Sequence, residues 1–190
     1  MTNTVQALMH YLTRTMKAID KFLTSVTFTP AVVGYLREGD RVGLGIRKKV
    51  SSGLGENLVA GIGGKVGDSL EIQNETPDAA MDREASEEIG VKVLEKQEMG
   101  RVRFIFSHKP PDSPWNQDVT IYSITSWEGT PSETDSMKPM WFDRNELPWE
   151  RMWKDNEYWL PKVLSGERVD AVFLFSDDNK IAEYRFEEAA

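Results

Sequence analysis

The chain has 190 residues, 39% of them hydrophobic, which suits one domain with a real core and argues against disorder. Cysteine is absent, so disulfides and thiolate metal sites are excluded. The formal net charge of −8 argues against a nucleic-acid polymer or an anionic membrane as partner, because both reward clustered Lys and Arg. No apolar run approaches the roughly 20 residues that span a bilayer, and the N-terminus lacks a secretory pattern. We therefore expect a cytoplasmic protein.

The first segment is predicted to be helical, because apolar residues recur at helical spacing from residue 4 to residue 24. We treat residues 1–25 as an N-terminal helical extension. This amphipathic helix is expected to pack on the domain or on a second subunit, as in a homodimer. A membrane anchor is disfavoured, because the polar face offers as cations only Arg14, Lys17 and Lys21.

Residues 26–190 are predicted to form one domain in which strands and helices mix. The predicted elements are a hairpin at 28–36 and 41–47, a glycine-rich segment at 50–69, a helix at 77–89, strands at 91–96, 100–108 and 118–127, a short segment ending at Trp141-Phe142, a helix at 155–165, and a closing hairpin at 171–175 and 181–186. This order indicates an α+β fold, an α/β/α sandwich with a mixed β-sheet.

The helix at 77–89 has clear boundaries in the sequence. Thr76 is a good N-cap, and Pro77 suits the first helical position, where its missing N–H costs nothing. Asp78 favours the positive end of the helix dipole. Gly90 suits the position that follows the last turn, so the helix is expected to end there.

Three carboxylates lie on one side of this helix. Glu84, Glu87 and Glu88 stand at i, i+3 and i+4, one turn apart. Like charges this close repel, and a hard cation compensates them; Mg²⁺ is the natural candidate, with Mn²⁺ as a substitute. Arg83 is placed to hold a carboxylate or a loop carbonyl by bidentate hydrogen bonds. Alone, a Glu-x-x-Glu-Glu pattern is more often a solvated helix face.

The longer pattern from Glu75 to Val91 resembles the Nudix signature. The chain matches this part of the signature at every position: Glu, seven residues, Arg-Glu, an apolar residue, any residue, Glu-Glu, any residue, Gly and an apolar residue. One departure is Ser69, which stands six positions before Glu75, where the family has glycine. Counted from Gly64, the chain carries extra residues within 67–74, which we interpret as an enlarged loop before an intact helix.

The resemblance covers most of the chain after residue 31 and is similar to the MutT-type 8-oxo-dGTP diphosphatases of the animal kind. The other matching segments are 41–48, 61–66, 129–131, 137–142, 152–159 and the final hairpin. It implies a Nudix-type fold and a metal-dependent pyrophosphohydrolase of oxidised purine nucleoside triphosphates, which releases the monophosphate and pyrophosphate and so sanitises the nucleotide pool. Its partner would be a small-molecule nucleotide.

The resemblance also implies roles for single residues at the phosphate end. Glu84, Glu87 and Glu88 would bind one to three Mg²⁺ ions, the carbonyl of Gly64 would be a further ligand, and Lys65 would touch phosphate. Arg83 would belong to the catalytic group, and Glu84 or Glu87 would accept the proton of the attacking water. Related enzymes take a further acid from a loop outside the helix, and the matching segment contains Glu133, Asp135 and Ser136.

The base pocket is implied at Trp153, Asp155 and Asn156, where an indole can stack on a base and polar groups can bind its edge. Trp159 belongs to the same implied set, and further candidates for the lining are Leu54, Phe104 and Phe106. Phe104 and Trp159 are explained at least as well as core residues. Asn156 replaces the second of two adjacent aspartates in the animal enzymes. Ala60 stands where they have an asparagine that contacts the base. A preference for 8-oxo-guanine is therefore a hypothesis.

Two alternatives stay open. The chain could be a Nudix hydrolase with another nucleoside diphosphate derivative as substrate. It could also be a catalytically silent module that binds a nucleotide or a partner protein. Silent modules often lose a glutamate of the Arg-Glu-x-x-Glu-Glu core, and residues 83–88 retain each of them.

Overall fold

A mixed β-sheet forms the centre of the protein in the computed structural model, which describes residues 18–48, 57–67, 72, 74–177 and 180–187. The elements within these residues are α1 (Ala18–Leu23), β1 (Thr29–Glu38), β2 (Arg41–Arg47), β3 (Val59–Ala60), α2 (Pro77–Ile89), β4 (Lys92–Phe106), β5 (Gln117–Glu128), β6 (Met137–Asp143), a 3₁₀ turn (Trp149–Arg151), α3 (Asn156–Leu164), β7 (Val169–Asp177) and β8 (Lys180–Phe186). Most of the predicted elements are confirmed.

The strand order is β3-β2-β1-β5-β4-β7-β8, and β6 pairs with β2. β1 runs parallel to β5, and β4 runs parallel to β7. The other neighbouring strands are antiparallel. The predicted mixed sheet is thereby confirmed.

Helices cover both faces of the sheet. Because alternate residues of a strand point to opposite faces, a central strand can contact helices on both sides. On β5, Ile124 packs in the cluster that contains α2, whereas Ile121 packs in the cluster that contains α3. On β7, Val172 packs with α1 and Phe173 with α3. The layers are therefore α1 and α2, the sheet, and α3, which is the predicted α/β/α arrangement.

The strands predicted at 91–96 and 100–108 are wrong as separate elements, because both belong to the single strand β4. Its pairing with β5 shifts register between Val93 and Gly100. Gly100 has a φ of 106°, and a side chain there would collide with the backbone of Val169 on β7. The glycine interrupts the apolar pattern because it forms a β-bulge, not because the strand ends there.

The predicted N-terminal helix lies largely outside the described residues, which contain its last part as α1. Ile19 is fully buried against β4 and β7, and Asp20 pairs with Arg185 at 2.7 Å. This part of the chain thus packs on the domain, as one of the two predictions had it. The homodimer and the boundary at residue 25 stay predictions. Within the described residues, no helix is long and apolar enough to cross a bilayer.

Candidate active site

Helix α2 is placed by local signals at both ends. The hydroxyl of Thr76 accepts a hydrogen bond from the N–H of Ala79 at 3.2 Å, and Pro77 is the first helical residue. Gly90 ends the helix in the left-handed conformation, with φ of 70°. Because the apolar side of α2 packs on the sheet, the acidic side meets the glycine-rich segment at 61–67.

Arg83 connects the acidic residues to that segment. Its Nε and Nη2 donate to the two carboxylate oxygens of Glu75 at 2.8 and 3.1 Å, which is a bidentate pair. Its Nη1 donates to Glu84 at 2.8 Å and to Glu87 at 3.1 Å. Its Nη2 also donates to the carbonyl of Lys65 at 2.9 Å. The predicted contacts of Arg83 are thus present, and they include both a carboxylate and a loop carbonyl.

Glu75 is fixed in place although the loop before it is enlarged. Besides its bonds to Arg83, its Oε2 accepts a hydrogen bond from the N–H of Gly67 at 2.9 Å. The hydrogen bonds from Arg83 hold the pKa of this carboxyl below its usual range. The extra residues fall mainly on 68–71 and 73, which lie outside the described residues. The position of Glu75 is set by Arg83 and Gly67.

Gly63 and Gly64 bring their backbone against two of the glutamates. The N–H of Gly63 donates to Glu88 at 2.8 Å. At Gly64, a Cβ would collide with the carboxylate of Glu84, so a larger residue here would displace that carboxylate. The carbonyl of Gly64 accepts a hydrogen bond from the N–H of Val32 at 2.8 Å, and its second lone pair is still available to a cation.

Negative charge is concentrated where Glu84 and Glu88 are buried, with 7% and 8% of their surface exposed. Burial raises the pKa of Glu88 to about 7, and the charges of Glu84 and Glu87 contribute to the rise. The positive charge of Arg47 and the Gly63 N–H oppose it. Such crowding of carboxylates indicates that a positive charge at this point would be stabilising.

The donor set of this region fits a hard divalent cation, since it consists of carboxylates and a backbone carbonyl. The oxygens do not converge on one point, and the described residues contain no ready-formed group of three acidic or histidine side chains for a metal. One oxygen of Glu84 and one of Glu87 are directed to Arg83, and one of Glu88 to Gly63. Cation binding would therefore need small rotations of these side chains.

A cavity of about 430 Å³ begins at Gly63, Gly64 and Lys65, which lie beside the acidic side of α2, and it crosses the face of the sheet that carries α3. It brings together the predicted substrate-binding residues that the structure describes, namely Lys65, Phe106, Trp153, Asp155 and Asn156. Leu54 lies outside the described residues. Gly64 lines the near end and Trp159 the far end, so the two predicted halves of the site share one space.

Asp155 is a buried carboxyl at the far end, with 3% of its surface exposed. Its Oδ2 accepts a hydrogen bond from the indole of Trp159 at 2.8 Å and a longer one from the amide of Asn156 at 3.4 Å. Burial raises the pKa of Asp155 to about 6, and the bond from Trp159 acts in the opposite direction. Trp159 is therefore both a core residue and the anchor of this carboxyl.

We expect Asp155→Asn to reduce the pH dependence of stability. The pKa of Asp155 rises from 3.8 to about 6 on folding, so the wild type loses stability between these values as pH increases. The full loss, about 3 kcal/mol at most, is present above the folded pKa, and asparagine avoids it. Urea unfolding at pH 4 and pH 7 should show that the free energy of unfolding falls less between these pH values in the variant than in the wild type. Parallel pH profiles for the two proteins would contradict this expectation.

The sequence did not single out Tyr35, Arg47 or Trp115, which also line the cavity. Arg47 donates to the carbonyl of Gly63 at 2.9 Å. It lies within a segment that matches the family, and that was the available signal. Tyr35 is a polar aromatic residue on an apolar strand. Its burial and, to a lesser extent, the charge of Asp155 raise the pKa of its hydroxyl. Trp115 belongs to the connection between β4 and β5, where the sequence offered only a chain break.

Glu133, which was a candidate for the loop acid together with Asp135, forms ion pairs with two lysines. Its carboxylate pairs with Lys48 at 2.6 Å and with Lys138 at 3.9 Å. These partners hold the pKa of Glu133 below its usual range. The same loop contacts α2 through the hydroxyl of Thr134, which donates to the carbonyl of Glu88 at 2.8 Å.

Known proteins resemble this chain in sequence and in fold. The model of the NUDIX domain matches residues 27–163. The oxidized purine nucleoside triphosphate hydrolases of Mus musculus and Danio rerio are each 34% identical over 148 residues, which cover 78% of this chain and 87% of each relative. The crystal structure of a MutT protein from Bacillus halodurans has a TM-score of 0.66 at 21% identity, over 86% of this chain and 100% of that one. The last likeness concerns the fold alone.

The matched segment contains the described core of the site, from the glycines at 63–64 through α2 to Trp153 and Trp159. Hydrolases of this family generally depend on a divalent metal, which agrees with the oxygen donors gathered at α2. The Arg-Glu-x-x-Glu-Glu core at 83–88 lies within the matched segment. On this evidence the chain belongs to the Nudix family of hydrolases.

Proposed function

We propose that the protein is a Mg²⁺-dependent pyrophosphohydrolase that converts oxidised purine nucleoside triphosphates, such as 8-oxo-dGTP, to the monophosphate and pyrophosphate. The observation that carries the proposal is the cavity that runs from Gly64 and Lys65, beside the acidic side of α2, to the polar aromatic end at Trp153 and Asp155. A triphosphate with an attached base has the same two-ended chemistry. The names of the mouse and Danio rerio relatives, oxidized purine nucleoside triphosphate hydrolases, support the substrate class.

At the phosphate end, we assign Glu84, Glu87 and Glu88, with the carbonyl of Gly64, as the Mg²⁺ ligands. Bound Mg²⁺ would neutralise phosphate charge and lower the pKa of the attacking water. Lys65 would bind a phosphate oxygen. We assign the proton acceptor to Glu84, because it is buried and oriented by Arg83, whereas 59% of the Glu87 side chain is exposed. Water would then displace pyrophosphate by breaking a phosphoanhydride bond.

At the base end, Trp153 would stack on the purine, and Asp155 would bind its edge. The raised pKa of Asp155, about 6, allows its carboxyl to act as a donor in mildly acidic solution and as an acceptor at neutral pH. Asn156 donates from its amide to the carbonyl of Trp153 at 3.1 Å, which orients the side chain beside Asp155. Which oxidised purine is preferred depends on the donors and acceptors that this pair presents.

A hydrolysis panel tests the proposal, with normal and 8-oxo purine triphosphates, pyrimidine triphosphates and a nucleoside diphosphate sugar, each with Mg²⁺, Mn²⁺ or a chelator. We expect kcat/KM for 8-oxo-dGTP to exceed that for dGTP at least about tenfold, because buried hydrogen bonds discriminate steeply. A ratio of one or less would remove the 8-oxo assignment. Faster cleavage of the diphosphate sugar would favour the alternative Nudix substrate, and no cleavage at all would favour a silent module.

The cytoplasmic location and the homodimer through the N-terminal helix stay predictions beside this proposal. Ala60, at the cavity wall, presents no polar group to a base. This is the feature that favours the alternative of another nucleoside diphosphate derivative, because a purine-specific site usually binds the base edge from more than one side.

A further inference from the structure

Trp115 lies at the cavity on the loop formed by residues 107–116, between β4 and β5. Its indole contacts the ring of Phe106, with centroids 5.2 Å apart and planes at 75°. It also contacts the indole of Trp153 at 6.3 Å and 71°. Two indoles at a steep angle thus border the same part of the cavity.

The loop is held by Asn116, which is fully buried. The side-chain oxygen of Asn116 accepts a hydrogen bond from the N–H of Phe106 at 2.9 Å. Its amide nitrogen donates to the carbonyls of Pro110 and Pro111 at 3.3 and 3.1 Å. A buried amide with both ends satisfied fixes its surroundings, because any other loop conformation would leave polar atoms without partners.

Backbone bonds attach the same loop to the start of β1. The N–H of Thr29 donates to the carbonyl of Asn116 at 2.8 Å, and the N–H of Thr27 donates to that of Pro111 at 2.9 Å. The ammonium of Lys109 lies 4.8 Å from the Trp115 ring, in cation–π geometry. Trp115 is therefore positioned before any ligand arrives, so binding to it costs little ordering entropy.

We propose that Trp115 is a specificity-determining residue that contacts the nucleobase beside Trp153. One indole would cover a face of the planar base and the other would meet its edge. A bicyclic purine reaches both surfaces, whereas a single-ring pyrimidine reaches one. This inference rests on the proposed function, since it assumes that the far end of the cavity holds a base. It assigns to the loop at 107–116 the choice of purine over pyrimidine.

The test measures equilibrium binding of 8-oxo-dGMP, dGMP and dCMP by calorimetry to the wild type and to Trp115→Ala, Trp115→Leu and Trp115→Phe. Alanine substitution should weaken purine binding by about five- to a hundredfold, the range for loss of one base–aromatic contact. The effect on dCMP should be smaller, and phenylalanine should restore most of the purine affinity. Trp127→Ala is the matched control, because Trp127 packs against Trp141 in the cluster of the opposite sheet face.

Leucine preserves apolar cover over Phe106 but removes the aromatic contact, so it answers the question if alanine unfolds the protein. Purine binding by the Leu variant within about twofold of wild type would overturn the proposal, because Trp115 would then only cover the core. Equal weakening for dGMP and dCMP, or no binding of either purine by the wild type, would overturn it as well. The monophosphates need no cleavage, so failure of the hydrolysis panel would be distinguished from failure of this inference.

Discussion

Replacing Glu84 with glutamine is expected to lower kcat by about a thousandfold while the fold is preserved. Glutamine has the same shape and can still accept from Arg83, but it removes a negative charge from beside Gly64. Both the proposed cation site and the proposed proton acceptor would be lost, and loss of an acid–base residue alone typically costs about 10²- to 10⁴-fold. The measurement is kcat for the best nucleotide of the panel at saturating Mg²⁺.

Two further variants make this result specific. Glu95→Gln changes an exposed carboxylate on β4 and should leave kcat unchanged. Glu87→Gln in the same assay assigns the general base, because a larger loss there than at Glu84 would transfer that role to Glu87. Retention of more than about a tenth of wild-type kcat by Glu84→Gln would contradict the mechanism, since it falls below the usual acid–base contribution.

Replacing Arg83 with methionine should destabilise the protein by about 3 kcal/mol and also abolish activity. The side chains of Glu75 and Glu84 are 7% and 9% exposed, so their charges would stay buried without the guanidinium. Breaking a buried ion pair by removing one partner is costly for this reason, whereas removing both charges is not. Chemical denaturation gives the free energy of unfolding, and the hydrolysis assay gives the activity.

The controls for Arg83 use the same chemistry in other surroundings. Arg168 pairs with Glu98 at 3.1 Å, but both side chains are more than half exposed, so Arg168→Met should change stability little. Adding Glu75→Gln to Arg83→Met should restore part of the lost stability, because the buried charge at position 75 is removed. If Arg83→Met and Arg168→Met were equally stable, the buried network would not have the energetic role assigned to it.

The sequence predicted α2 to the residue because its limits depend on neighbours in the chain. Thr76 caps a nearby N–H, and Gly90 adopts its own conformation, so no distant contact is needed. The acidic side of the helix could be predicted equally well, since residues at i, i+3 and i+4 lie on the same side of a helix. The acidic side of the candidate site was therefore the part that could be predicted best.

The features that the sequence missed depend on residues far apart in the chain. The bulge at Gly100 exists because β7 brings the backbone of Val169 against it. Glu133 forms an ion pair with Lys48, which is distant in sequence, so its local pattern could not show this partner. Tyr35 and Trp115 meet at one cavity only after β1 and β5 pair in parallel. No local pattern contains this information.

The bulge in β4 also determines which chemistry faces the cavity. Beyond Gly100, Val102 and Phe104 line the cavity, whereas Arg101 and Arg103 form ion pairs on the opposite face of the sheet. Side chains alternate along a strand, so a shift of one position exchanges the two sets. Removing one residue at the bulge would turn the guanidinium groups of Arg101 and Arg103 toward the cavity and the ring of Phe104 toward α1. The extra residue at the bulge thus determines which side chains of β4 face the cavity. Insertions and deletions in this strand are therefore expected to be far less tolerable than substitutions.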